Sequence, residues 1–149
     1  MQRNLNGSIL FVSTLLAAPL YSAPTASELP AFQPGFWEYQ RTVSTMAKPD
    51  PQHSSIRKCS DPTAEIKQKL TELQHKGCQF SPVTVRGNQY FSTWRCPASS
   101  GPLVDRNVVT VISFTSYQDQ NEVRSGEHVS RSTVIAKRVG ECPAANASH

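Results

Sequence analysis

Residues 35–46 read Gly35-Phe36-Trp37-Glu38-Tyr39-Gln40-Arg41-Thr42-Val43-Ser44-Thr45-Met46, and their alternation sets the fold class. Trp37, Tyr39 and Val43 fall on one parity, whereas Glu38, Gln40 and Thr42 fall on the other. Successive side chains of a strand point to opposite faces, so aromatic and β-branched residues on one parity mark a half-buried strand. Pro49-Asp50-Pro51 stops it, and residues 54–59 are expected to return antiparallel as a short second strand.

Downstream lies the one clear helix. Asp61 can cap it, Pro62 suits its first position, where a missing N–H costs nothing, and Gly77 can close its far end. Ile66, Leu70 and Leu73 recur at i, i+4 and i+7, while Glu65, Lys67, Lys69, Glu72 and Lys76 supply polar faces. The helix is therefore expected to lie on the sheet by its Ile66-Leu70-Leu73 edge.

After Cys78 the pattern returns to strands. Residues 79–86 and 89–96 flank Gly87-Asn88, a pair that tolerates positive φ, which reads as a hairpin. Residues 107–116 hold Val108, Val109, Val111, Ile112 and Phe114, the most β-prone run of the chain. Polar Gln118 to Asn121 is read as a turn into a strand over 122–130, and residues 132–139 as the last strand. The expected class is α+β, mainly β: a curved antiparallel meander of about six to seven strands, one packed helix and two disulfides.

The four cysteines are Cys59, Cys78, Cys96 and Cys142. If the hairpin loop has three residues, Arg86 to Asn88, Cys78 falls opposite Cys96. Their β-carbons then come within bridging reach, and Cys59 pairs with Cys142 by exclusion. Four cysteines allow three connectivities, and a one-residue change in that loop would spoil the register.

An even cysteine count fits an oxidising compartment. So does the N-terminus, where Arg3 precedes the apolar run from Ile9 to Leu20 and the small-residue stretch Tyr21 to Ser27. That order is the order of a secretory signal, and a run of twelve residues is too short for a membrane-spanning helix, which needs about 20. Residues 1–23 are expected to be the signal peptide, with cleavage as late as 27. Residues 24–34, holding Pro24, Pro30 and Pro34, are expected to be a flexible leader, 35–142 a single domain and 143–149 a disordered tail. Without residues 1–23 the chain carries fourteen Lys and Arg against eleven Asp and Glu, a mild excess with no concentrated stripe. Nucleic acid is not an expected partner, nor is a stable transmembrane span after cleavage. An envelope protein or an apolar or anionic ligand is.

Motifs for chemistry are sparse. His53, His75, His128 and His149 form no paired spacing and no C-x-x-C occurs, so no metal or redox site is expected. The G-x-S-x-G nucleophile turn and the glycine loops that cradle phosphate are absent, so no catalytic residue and no cofactor are assigned. Glu127 and His128 are neighbours read as lying on a strand, where they would point to opposite faces. The aromatics Trp37, Tyr39, Tyr90 and Trp94 remain, as ligand-pocket walls or as core. Trp94 shares parity with Tyr90 and Cys96, which favours packing against the disulfide.

Five landmarks follow one another: Pro34-Gly35-Phe36-Trp37-Glu38; Cys59 with Pro62 three residues on; Cys78; Trp94-Arg95-Cys96; and Lys137-Arg138-Val139-Gly140-Glu141-Cys142. Over residues 34–142 this order resembles the exported bacterial family called domain of unknown function 3617. The resemblance implies a periplasmic or secreted protein and brings no established catalytic residue. The expected function is thus a noncatalytic envelope binding module. One alternative is a small envelope hydrolase using His128 with Asp105 or Asp119, and another is an enzyme-inhibitor scaffold.

Overall fold

The computed structural model describes residues 29–143. The expected signal peptide, the first part of the leader and the tail from 144 onward lie outside the described residues. Among the described residues nine elements follow one another: β1 (Gly35–Thr45), β2 (Gln52–Ser60), α1 (Pro62–His75), β3 (Gln79–Phe80), β4 (Thr84–Arg86), β5 (Gln89–Cys96), β6 (Leu103–Ser113), β7 (Ser116–Ser125) and β8 (His128–Gly140). The strands form one antiparallel sheet in the order β2-β1-β8-β7-β6-β5-β3, with β4 also on β5.

Sequential hairpins build β5 to β8 as a meander, and the β1–β2 hairpin joins it by pairing the first strand with the last. The edges of the sheet are β2 and β3, and α1 is the connection between them. Six strand gaps would set flat edges roughly 29 Å apart, while a 14-residue helix is about 21 Å long. Curling of the sheet closes that difference, and the inner face of the curl receives the helix.

Local chemistry sets α1 as the sequence predicts. The Asp61 carboxylate accepts from the Ala64 N–H at 3.0 Å, Pro62 opens the first turn, and the chain leaves the helix after Lys76. Leu70 is buried, with Ile66 and Leu73 packed beside it. Two clusters form the core. Phe32, Trp37, Tyr39, Val109, Tyr117 and Ala136 make one; Leu70, Cys78, Phe80 and Trp94 make the other; Ile66 touches both. Residues 29–34 form neither helix nor strand, yet Phe32 stacks on Tyr117 with ring centroids 4.4 Å apart.

Three sequence expectations are corrected by the register. The hairpin loop has two residues, because Arg86 pairs with Gln89. Taken alone, that loop would set Cys78 one position off Cys96. Between β3 and β4, however, Ser81 still donates its N–H to the Thr93 carbonyl at 2.9 Å, Pro82 with no N–H to give then breaks the ladder, and the register slips by one, so Gln79 meets Arg95 and Phe80 meets Trp94. Cys78 therefore reaches Cys96 although the premise about the loop is wrong. The same break divides the expected 79–86 strand, giving eight strands rather than six or seven.

Gln118 to Asn121 is the second correction: these residues lie in the middle of β7, not in a turn. The actual turns are Phe114-Thr115 and Gly126-Glu127, the latter with Gly126 at φ +58°, a conformation that costs glycine little. Third, Glu127 belongs to that turn and His128 opens β8, so the expected 122–130 strand does not form and β8 begins four residues before the predicted 132.

Both cysteine pairs stand at disulfide distance, Cys59 with Cys142 at 5.4 Å and Cys78 with Cys96 at 4.1 Å between α-carbons. Phe36 pairs with Cys59 on β2 and with Gly140 on β8, so the first bridge closes over the start of β1. Gly35 is required there, since a β-carbon would lie 2.7 Å from the Gly140 carbonyl oxygen and run into the Arg138 guanidinium. Arg138 Nε in turn donates to the Pro34 carbonyl at 2.9 Å. The two ends of the sequence landmarks thus meet in space.

Candidate functional site

Where α1 crosses the curl, it roofs a cavity of about 110 Å³. Ile66 and Leu70 come down from the helix, Tyr90 and Trp94 stand on β5, Val109 on β6 and Tyr117 on β7. Leu29, Pro30 and Val83 close the rim. Tyr90 pairs with Val109 across β5 and β6, and Val109 pairs in turn with Asp119 on β7, so alternation delivers all three side chains to the inner face.

Asp119, Asn107 and Lys69 supply the polar groups of the cavity. Asn107 and Asn121 are directly opposed on β6 and β7, with Asp105 and Asp119 each two residues along. The side chains hydrogen-bond diagonally: Asn121 Nδ2 donates to Asp105 Oδ1 at 2.6 Å, and Asn107 Nδ2 donates to Asp119 Oδ1. Asp105 and Asn107 are buried.

Loss of water raises the pKa of both carboxyls from the ordinary aspartate value. The Asn121 hydrogen bond and the Lys69 charge hold Asp105 partly back, and the Asn107 hydrogen bond and Lys69 do the same for Asp119. Neither carboxylate forms an ion pair among the described residues. The Lys69 ammonium lies instead over the Trp94 ring, 5.2 Å from its centroid. Burial pushes the Tyr117 hydroxyl upward as well, with Tyr39 and Asp119 adding to it.

The aromatics singled out from the sequence separate into two groups. Tyr90 and Trp94 line the cavity. Trp94 belongs to the same cluster as Cys78, with Cys96 packed against it. Trp37, fully buried, and Tyr39 sit behind the Tyr117 wall, Trp37 with its ring 5.8 Å from Tyr117 and 6.2 Å from Tyr39. Trp37 Nε1 donates to the Gln33 carbonyl at 3.1 Å, and the Tyr39 hydroxyl shares a hydrogen bond with Ser60 Oγ at 2.6 Å. Ser60 donates to Glu65 in the first turn of α1 at 2.6 Å, which ties β1 to the helix start.

The other named residues do not converge. His128 is exposed and opposite Ser125, whereas Asp119 is opposite Val134, six residues along β8 and roughly 20 Å away at about 3.3 Å per residue. Asp105 lies two strands and two residues from His128, roughly 12 Å away. No histidine–carboxylate pair for hydrolysis is assembled from them. Among the described residues no three His, Cys, Asp or Glu side chains gather to hold a metal ion, and no helix is long and apolar enough to cross a membrane.

Asn107, Asn121, Tyr117 and Lys69 are site residues that the sequence reading passed over. One signal was present: Asp105-Arg106-Asn107 and Asp119-Gln120-Asn121 each place a carboxylate and an amide on one parity, two residues apart. Polar composition made the second of them look like a turn.

The family model described as "Protein of unknown function (DUF3617)" matches residues 32–142. No curated protein matches the chain.

Proposed function

The chain belongs to the DUF3617 family, and we propose that this member is a noncatalytic binding module of the bacterial envelope that holds a small, mainly apolar ligand group between α1 and the sheet. The observation carrying this reading is the helix-roofed cavity of about 110 Å³, walled by aliphatic and aromatic side chains and bearing few polar groups. It is smaller than the roughly 150 Å³ engineered cavity that accepts benzene, so it suits one short chain or branched end of a ligand. The rest of such a ligand extends past the Leu29, Pro30 and Val83 rim.

Support for the envelope address comes from the charged, apolar, small order at the N-terminus and from four cysteines standing in two bridging pairs. Fractionation of the producing bacterium checks this half of the reading, and recovery in the cytoplasm with reduced thiols would defeat it.

The ligand half is tested by native mass spectrometry of protein purified from the periplasm, beside a Val83→Trp variant that fills the cavity rim. A retained mass surplus in the parent, lost in the variant, is expected. The companion measurement titrates n-butanol, a neutral probe, while two-dimensional NMR follows the Trp94 indole and the Tyr90 and Tyr117 rings. A bare parent mass together with no movement of these signals would remove the cavity as a binding site.

A further inference from the structure

Resting on that reading, we propose that the cavity selects a ligand carrying a primary ammonium group on a short apolar tail, with Asp119 as the group that receives the ammonium and Lys69 as the cation it displaces from Trp94.

The argument is one of charge placed in a dry site. A carboxylate removed from water is stable only when hydrogen-bonded and offset by positive charge. Asp119 accepts from Asn107 through one oxygen, and among the described residues it has no ion-pair partner. No buried side-chain oxygen or nitrogen lacks a partner among the described residues, so the second oxygen is not sealed off. Because Asp119 lines the cavity, a guest seated there can reach it. Asp105 lies on the same inner face, so among the described residues two carboxylates stand against one nearby cation, Lys69. An anionic guest would add a third negative charge to that site, and a neutral guest would leave the imbalance unchanged. A cation reduces it.

The walls favour the same head group. Tyr90, Trp94 and Tyr117 present aromatic rings, whose faces attract cations. One ring is already used in this way, since the Lys69 ammonium lies 5.2 Å from the Trp94 centroid. Lys69 is exposed apart from that contact and forms no ion pair among the described residues, so it can swing away as a guest enters. Its seat over Trp94 marks a position that a ligand ammonium can take. A primary ammonium suits the site best, because its three N–H donors can be shared between the free Asp119 oxygen and an aromatic face.

Three probes with one four-carbon tail test this: n-butylammonium, n-butanol and pentanoate, each titrated into the full chain while NMR follows Trp94, Tyr90 and Tyr117. The expected result is that n-butylammonium binds at least tenfold more tightly than n-butanol, and pentanoate more weakly than either. Asp119→Asn should cancel the preference for the ammonium and leave n-butanol unaffected. Lys69→Met, at a largely solvent-exposed residue, should tighten n-butylammonium severalfold.

Equal binding of n-butylammonium and n-butanol, or tighter binding of pentanoate, overturns the ammonium proposal while the cavity remains a ligand site. Persistence of the ammonium preference in folded Asp119→Asn also overturns it. If none of the three probes moves the cavity signals, the proposal falls together with the reading beneath it.

Discussion

Removing the Cys59–Cys142 bridge with the double substitution Cys59→Ala and Cys142→Ala is expected to cost about 4.5 kcal/mol. The pair is 83 residues apart in sequence, and in the chain-entropy model closing a loop of that size removes about 15 cal/mol/K from the unfolded ensemble. Both cysteines are exposed, so almost no packing energy is lost with them. Such a cost is comparable with the whole stability of a small domain, about 5–15 kcal/mol. The assay is urea unfolding followed by tryptophan fluorescence. Trp37 is fully buried and Trp94 is 6 % exposed, and they sit in different clusters, so the summed emission reports on the loss of both.

Because the bridge acts on the unfolded chain, the variant should also expose more surface on unfolding, and its m value should rise. A loss below about 2 kcal/mol, or an unchanged m value, would refute the unfolded-state argument. The same calculation for Cys78–Cys96, 18 residues apart, gives about 3 kcal/mol from chain entropy. Cys78 is buried against Phe80 and Trp94, so a packing loss is added there and the two contributions are less cleanly separated.

Leu70→Ala should cost about 2–5 kcal/mol in the same urea assay, since Leu70 is the buried anchor of α1; a cost under 1 kcal/mol would mean that the helix is not latched by it. Gly35→Ala should destabilise by about 1–3 kcal/mol, because the new β-carbon meets the Gly140 carbonyl and the Arg138 side chain, whereas Gly140→Ala, with open space around it, should stay within about 0.5 kcal/mol. Equal thermal midpoints for the two alanine variants would contradict the close approach. The folded pKa values of Asp105 and Asp119 are raised by burial, so between the unfolded value near 3.9 and those raised values the native state holds more protons, and their contribution to stability falls as pH climbs. Asp119→Asn, which keeps an oxygen to accept from Asn107, should therefore melt higher than the parent at pH 7, with the difference shrinking toward pH 4. Glu38 and Glu122, held low by hydrogen bonds to Gln40 and Arg57 and to Arg124 and Arg131, act in the opposite sense in both proteins and cancel from that comparison.

Local pattern and tertiary structure divide this protein along a clear line. The alternation of Trp37 and Tyr39, the Asp61-Pro62 start of α1 and its Ile66-Leu70-Leu73 stripe are properties of neighbouring residues, and they were legible because propensity, capping and burial periodicity act within a few residues. Mainly β class and one packed helix followed from them. The run Gln118 to Asn121 could not be read in isolation. Its polarity signals a turn unless a facing strand offers complementary groups, and Asp105 and Asn107 do so from more than ten residues upstream. The pairing of β1 with β8, the one-position slip that carries Cys78 to Cys96, and the meeting of Gly35 with Gly140 likewise depend on chain segments far apart in sequence. The cavity belongs to the same class. Lys69, Trp94, Tyr117 and Asp119 come from a helix and two strands, β5 and β7, and only the curl of the sheet around α1 brings them to one place, because a binding surface is set by where distant segments pack rather than by what each prefers alone.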